Sequence, residues 1–123
     1  MGERRVRAIR GATTVERDDA DLVRAATREL LEQIVARNAL ETDDIISVIF
    51  TVTADLRSEF PAHAARALGW VDVPLLCTME IPVPGSLAHC IRILLHVESD
   101  RDRDGIAHVY LRGARVLRPD LAE

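Results

Sequence analysis

Apolar residues recur along this chain with two different periods, and these periods predict its secondary structure. Between positions 22 and 35, pairs of apolar or small residues return every three to four positions, which is typical of a helix with one buried face. Asp18 and Asp19 precede this pattern and offer an N-cap and a favourable charge, and the helix should end near Asn38. The pattern therefore predicts one long amphipathic helix.

Other segments are short and rich in aliphatic residues, which predicts strands. The five predicted strands are 6–10, 45–53, 73–81, 90–98 and 106–111, with 114–117 continuing the last of them beyond Gly113. A shorter helix is predicted over 58–68, with Ser58 as its cap, Pro61 in its first turn and Gly69 as its terminator. The fold class that follows is α+β, with five strands, one long helix and one short helix.

The predicted sheet has more apolar surface than two helices can cover. The strand 45–53 is apolar on both faces, which indicates burial on both sides. One long helix covers part of one face, and no other element is left for the opposite face. We therefore expect an oligomer in which the sheets of neighbouring copies face each other. The alternative is a monomer with a poorly covered aliphatic patch.

The composition narrows the classes of function. A chain of 123 residues predicts a single domain over 1–123, with 119–123 as a C-terminal tail. The net charge of −4 gives no footprint for nucleic acid or an anionic membrane, and the complete lack of lysine excludes a Schiff-base or phosphate-loop lysine. Cys77 and Cys90 match no zinc spacing, so no metal or cofactor is expected. Without a long apolar run or a secretory signal, the simplest expectation is a reduced, cytoplasmic protein.

Polar residues occupy several positions in or beside predicted strands where an aliphatic residue would be usual. They are Arg10, Glu80, Arg92, Tyr110 and, at the end of the last strand, Arg118. Three permanent cations, one carboxylate and one phenol favour a pocket for a small dianion, and they include neither a nucleophile nor a metal site. Strand side chains alternate, so Arg92 lies in mid-strand on a mixed face, where a buried guanidinium must meet an anion. This combination indicates catalysis by electrostatics and shape.

Each of these residues also has a purely structural interpretation. Arg92 and Glu80 can form a salt bridge, and Arg10 can be a surface arginine at a strand end. Tyr110 can belong to the core with its hydroxyl bonded, and Cys77 can be a small buried residue instead of a nucleophile. Taken singly, none of these positions is specific.

Four blocks of sequence, taken together, resemble one known family. They are RGATTVERD at 10–18, FPAHAAR at 60–66, VPLLCTMEIPVPGSLAHCIR at 73–92 and HVYLRGARVLRPDL at 108–121. In order and spacing they closely resemble the monofunctional chorismate mutases of the AroH class over nearly the whole chain. The resemblance implies a five-stranded mixed sheet of the chorismate-mutase, ferredoxin-like type, and a homotrimer that forms a pseudo-α/β barrel. It also implies cofactor-free conversion of chorismate to prephenate, in phenylalanine and tyrosine biosynthesis, at sites between subunits.

The resemblance further implies roles for individual residues. Arg10 binds a substrate carboxylate on the enolpyruvyl side, and Arg92 faces the ether oxygen. Glu80 and Cys77 meet the ring hydroxyl, and Tyr110 helps to hold a carboxylate. The remaining pocket residues that the resemblance implies are Phe60, Ala62, His63, Arg66, Leu75, Leu76, Leu117 and, in a tail that orders over the mouth, Arg118.

Two positions depart from the pattern of the family. His63 stands where a lysine is usual, and Leu76 stands where a small polar residue can occur; both belong to the pocket wall. Two other functions remain open. One is an imine or enamine deaminase of the Rid type, another trimer with an arginine that grips a carboxylate, although its motif order is not found here. The other is a non-catalytic trimeric sensor of a small carboxylate.

Overall fold

The computed structural model describes residues 3–120, which contain five β-strands and two α-helices. In chain order these are β1 (Arg5–Thr14), α1 (Ala20–Asn38), β2 (Ile45–Val52), α2 (Ala62–Ala67), β3 (Leu75–Met79), β4 (Cys90–Ser99) and β5 (Val109–Tyr110). Short 3₁₀ helices cover Thr42–Asp44, Arg103–Gly105 and Arg112–Leu117. The end of the predicted tail, 121–123, lies outside the described residues. No helix within 3–120 is long and apolar enough to cross a membrane.

The strands form one mixed sheet in the order β3-β2-β4-β1-β5. The central strand β4 runs antiparallel to β1 and β2, whereas the edge strands β3 and β5 run parallel to β2 and β1 respectively. The register places Arg10 of β1 opposite Leu94, and Thr51 of β2 opposite Arg92. Because alternate residues of a strand share a face, these four side chains lie on the same face of the sheet.

Helix α1 packs on the other face of the sheet and supplies most of the core. The fully buried side chains of this layer include Ile9, Leu30, Leu31, Ile34, Phe50, Leu95 and Val97. Gly11 permits a close approach of the helix, because a Cβ at this position would lie 2.8 Å from Cδ1 of Ile34. On the opposite face, Arg10 and Arg92 are exposed and Ile49 and Leu94 are half-buried. The helix therefore covers one face, and the second face stays open over β2 and β4, as the apolar pattern predicts.

The ends of α1 follow the signals in the sequence. The Asp19 carboxylate accepts a hydrogen bond from the backbone N–H of Leu22 at 3.0 Å, and the helix ends at Asn38. The Asn38 side chain is buried; its amide donates to the carbonyl oxygen of Ala107 at 2.9 Å and accepts from the Ala107 N–H at 2.8 Å. These two bonds fix the segment before β5 to the end of the helix.

Three strand predictions are wrong in their bounds. The predicted strand 73–81 is reduced at both ends to β3, Leu75–Met79. β1 continues through GATT to Thr14, because residues 11–14 pair with 90–93 of β4 although their composition is typical of a loop. The predicted strand 106–111 is reduced to Val109–Tyr110, and 114–117 belongs to a 3₁₀ helix. Arg118 therefore follows a helical segment and does not end a strand.

The short helix is also shorter than predicted. It begins at Ala62, and Ser58 does not cap it. The N–H groups of Arg57 and Ser58 each donate to the carboxylate of Asp18 at 3.0 Å, so the residues before α2 are held by the loop that follows β1.

Candidate active site

Four of the predicted site residues line one cavity on the open face of the sheet. It has a volume of about 270 Å³ and is bordered by Arg10, Glu80, Arg92 and Tyr110. β1, β4 and β5 supply one residue each, and Glu80 directly follows β3. We call this space the sheet cavity. Residues far apart in sequence converge here because the strand order brings their common face together.

Arg92 and Glu80 form an ion pair inside the sheet cavity. Nη1 of Arg92 lies 3.5 Å from Oε1 of Glu80, and the two side chains are 46% and 24% exposed. The other carboxylate oxygen of Glu80 accepts a hydrogen bond from the hydroxyl of Thr51. Among the described residues Arg92 thus has one long contact, which leaves most of its five N–H donors for an anion in the cavity.

The backbone at Arg10 is held by an imidazole. Its N–H donates to Nδ1 of His108 at 3.0 Å, so this histidine is neutral and carries its proton on Nε2. Burial, followed by the charges of Arg10 and Arg118, lowers the pKa of His108 and keeps it neutral near pH 7. The arginine side chain remains exposed on the cavity side.

Tyr110 lines the sheet cavity and packs against the C-terminal segment. Tyr110 is buried against Ala12 and Ala114, and Leu117 packs beside them. The guanidinium of Arg118 forms two hydrogen bonds with the Asp120 carboxylate, at 2.9 and 3.1 Å, which lower the pKa of Asp120. Arg118 lies near enough to interact electrostatically with Tyr110, but it is not among the residues that line the cavity.

Other predicted pocket residues border a separate space beside α2. Phe60, His63 and Cys77 line this cavity of about 340 Å³, which we call the helix groove. The rings of Phe60 and His63 meet edge to face with centroids 5.5 Å apart. The predicted site residues therefore fall into two groups within a single chain.

The remaining predicted residues line neither of these two spaces. Arg66 and Leu76 are exposed, Leu75 is half-buried against the core, and Ala62 is buried. Leu117 borders a smaller hollow together with Glu80 and Arg92.

Glu59 organises the helix groove. Its side chain is 10% exposed, and it accepts hydrogen bonds from the Arg24 guanidinium and from the N–H of Phe60 at 2.8 Å. Nδ1 of His63 lies 2.7 Å from Oε1 of Glu59, the oxygen that also accepts from the Phe60 N–H. Burial alone would raise the pKa of Glu59, but these hydrogen bonds lower it overall. The fixed carboxylate of Glu59 thus holds the backbone of Phe60 and the imidazole ring of His63.

Sequence reasoning missed five residues that line the sheet cavity. Gly11 and Ile93 directly follow Arg10 and Arg92, and Ile49, Thr51 and Leu94 are the other three. No motif marks these three, and the signal that identifies them is the register of β2 and β4, which places Thr51 beside Arg92 and Ile49 beside Leu94.

The cysteines do not provide a nucleophilic centre in the sheet cavity. Burial raises the pKa of Cys90 to about 11, so its thiol is protonated and unreactive near pH 7. Cys77 lies in the helix groove, half-buried. Within residues 3–120 no three His, Cys, Asp or Glu side chains are grouped so that they could hold a metal ion.

Comparison with known proteins gives one consistent result. Residues 6–121 match the family described as chorismate mutase type I. The chain is 51% identical to chorismate mutase AroH of Thermus thermophilus over 117 residues, which are 94% of this chain and 96% of the relative. It is 45% identical to chorismate mutase AroH of Bacillus subtilis (strain 168) over 118 residues, 95% and 93% of the two chains. A solved chorismate mutase from Clostridium thermocellum has a TM-score of 0.89 and 55% identity, covering 89% of this chain and 98% of its own.

Proposed function

The chain belongs to the type I chorismate mutases, and we propose that the sheet cavity, completed by the helix groove of a second copy, is its active site. The activity is the isomerisation of chorismate to prephenate, in the biosynthesis of aromatic amino acids. The observation that carries the site assignment is the convergence of Arg10, Glu80, Arg92 and Tyr110 on one open face.

The reaction makes few chemical demands on the protein. One C–O bond breaks while one C–C bond forms within the same molecule, and no proton, hydride or acyl group moves to the enzyme. Two effects can lower the barrier. One is holding the flexible enolpyruvyl arm over the ring in a compact conformer, and the other is stabilising the negative charge that develops on the ether oxygen. A cavity with fixed cations and no nucleophile meets both demands.

Arg92 supplies the electrostatic effect in this proposal. Its charge is permanent, its donors form a planar fork, and its long contact with Glu80 leaves that fork largely open toward the cavity. Losing one preorganised donor of this kind typically costs about 3–4 kcal/mol, or roughly 10²–10³ in rate. A full charge aimed at the ether oxygen should contribute at least this much.

The other residues hold the substrate in the reactive conformer. Arg10 and Tyr110 bind carboxylates, because one brings a guanidinium and the other a phenolic hydroxyl to the same cavity wall. Glu80 accepts a hydrogen bond from the ring hydroxyl and holds Arg92. Cys77 and the other groove residues form the wall supplied by the second copy, and Leu117 and Arg118 belong to the segment that covers the mouth.

We propose that the assembly is a homotrimer whose sheets face each other. Two observations support shared sites: the predicted residues separate into two spaces in one chain, and the open side of the molecule carries exposed apolar side chains. Leu76, on the open face of β3, is 60% exposed. Met79, which lines the helix groove, is 61% exposed, and Ile81, just after β3, is 80% exposed. Apolar patches of this kind mark contact surfaces between copies.

We further propose a cytoplasmic location. Both cysteines, Cys77 and Cys90, are free thiols, which agrees with a reducing compartment.

The direct test is to mix the purified protein with chorismate and follow the loss of its ultraviolet absorbance. A matched preparation of Arg92→Ala controls for any mutase carried over from the expression host. Consumption by the wild type alone supports the assignment. Saturable binding without turnover would indicate a sensor, and release of ammonia from an imino acid with chorismate untouched would indicate a deaminase; either result contradicts the proposal.

A further inference from the structure

We propose that Thr51 is a positioning residue, which orients Glu80 and through it keeps the guanidinium of Arg92 available to the substrate. The inference rests on the active site proposed above and names a residue that no motif of the sequence marks. It follows from the register of the three neighbouring strands β3, β2 and β4.

Thr51 stands between the two members of the ion pair. It lies directly opposite Arg92 on β4 and opposite Thr78 on β3. Glu80, two residues beyond Thr78, shares its face and is the diagonal neighbour of Thr51, within reach of a long side chain. The hydroxyl of Thr51 donates a hydrogen bond to Oε2 of Glu80. Oε1 is the oxygen that faces Arg92.

Glu80 needs a second anchor because of its place in the fold. It is the first residue after β3, and its backbone is still held by a bond from its N–H to the carbonyl of Val52 at 2.9 Å. Beyond it the chain leaves the sheet through the segment 81–85, which contains Pro82 and Pro84. The contact with Arg92 is 3.5 Å long and partly exposed, and such pairs hold their partners only weakly.

The single hydroxyl bond decides how the carboxylate meets the guanidinium. An ionised carboxylate has only acceptor sites, and a guanidinium binds it most strongly through both oxygens at once. With Oε2 engaged by Thr51, only Oε1 is turned toward Arg92. Without the hydroxyl, both oxygens are free to grip Arg92 in the bidentate manner. The donors that the ether oxygen needs would then face Glu80.

The first test is the substitution of Thr51 by valine, which keeps the β-branched shape and removes the hydroxyl. We expect kcat for chorismate to fall about tenfold, the effect of one hydrogen bond to a charged group, while KM changes by less than about threefold. Thr51→Ser should restore kcat to within about threefold of the wild type, because the donor is retained. Ser47→Ala is the control. It removes a hydroxyl from the same strand and face, where the group contacts His96 at 3.3 Å, and should leave kcat unchanged.

The second test is a double-mutant cycle with Glu80→Ala. If Thr51 acts through Glu80, Thr51→Val costs nothing further in the Glu80→Ala background. The same tenfold loss in both backgrounds, or a kcat of Thr51→Val within about twofold of the wild type, overturns the inference. Thermal unfolding checks that each variant is folded. Should the valine variant fail to fold, Thr51→Ser and Thr51→Ala, which differ only by the hydroxyl, make the same comparison.

The two proposals fail in different ways. An inactive wild type would contradict the active site itself. An active wild type and Ser47→Ala, together with an unaffected Thr51→Val, would contradict only the role of Thr51.

Discussion

At position 92 the proposed mechanism requires a planar set of hydrogen-bond donors as well as a positive charge. Arg92→Lys keeps the charge but replaces the fork by a compact ammonium that is more strongly hydrated. We expect kcat to fall by at least about a hundredfold, since the developing oxyanion loses preorganised donors. The measurement is the initial rate of chorismate loss at saturating substrate. Turnover within about tenfold of the wild type would show that charge alone suffices at this position.

Glu80 is an unexpected residue in a cavity for a dianion, and its value lies in placement. Glu80→Gln retains an oxygen that accepts from Thr51 and from the ring hydroxyl, so we expect it to keep kcat within about tenfold of the wild type. Glu80→Ala removes every acceptor and releases Arg92, so it should lose most of the activity. Steady-state kinetics of the two variants side by side decide the question. Equal losses would mean that the negative charge itself is required.

At the scale of elements, the patterns in the sequence identify what each segment becomes but not where it pairs. The helix α1 is predicted from its period and caps, because both are local properties. The strand β1 is longer than predicted, because GATT becomes a strand only through its pairing with β4. β5 is shorter, because only Val109 and Tyr110 find partners on β1.

The same distinction explains which site residues could be predicted. Arg92 is found from alternation within its own strand, and Glu80 is found as the anion that a strand arginine needs. Thr51 cannot be found in this way, since its role depends on the register between β2 and β4, which no local pattern contains. The division between sheet cavity and helix groove is likewise a property of the folded chain.

Asn38 gives a test of how α1 positions the end of the sheet. Its buried amide satisfies both the N–H and the carbonyl of Ala107, which leads into β5 and Tyr110. Asn38→Leu leaves these groups without their partner, so we expect the free energy of unfolding to fall by about 2–4 kcal/mol. Urea denaturation followed by circular dichroism measures the change.

The matched control for this variant is Ala36→Ser, an exposed substitution on the same helix, which should change the free energy by less than about 0.5 kcal/mol. Since β5 carries Tyr110, Asn38→Leu should also raise KM. If Asn38→Leu has the same free energy of unfolding as the wild type, the hydrogen bonds between Asn38 and Ala107 contribute nothing to stability.

At the scale of the whole molecule, a single chain leaves the proposed site incomplete. A single long helix covers one face of the sheet. Among residues 3–120, the face that carries Arg10 and Arg92 is covered only along β1, where the 3₁₀ helix Arg112–Leu117 packs against Ala12, and it is open over β2 and β4. The helix groove, lined by Arg57, Phe60, His63 and Cys77 among others, is a space separate from the sheet cavity. In the proposed trimer, a neighbouring copy would account for both features at once, because it would cover the open face and bring a groove to each sheet cavity.

Complementation between two inactive variants tests this arrangement. Arg92→Ala disables the sheet cavity. Arg66→Ala removes an exposed cation of α2 that the family resemblance assigns to the pocket, on the same helix as His63 of the helix groove, so each homogeneous protein should lose most of its activity. In trimers assembled from equal amounts of both chains, a site is intact only when an unaltered cavity meets an unaltered groove. Random assembly makes this combination about a quarter of all sites. We therefore expect co-refolded chains to recover about a quarter of the wild-type rate of chorismate loss.

The control is a mixture of the two separately folded proteins, combined just before the assay so that no subunits are exchanged. If each chain held a complete site of its own, every site would carry one of the two substitutions and no activity would return, whatever the mass measured by light scattering.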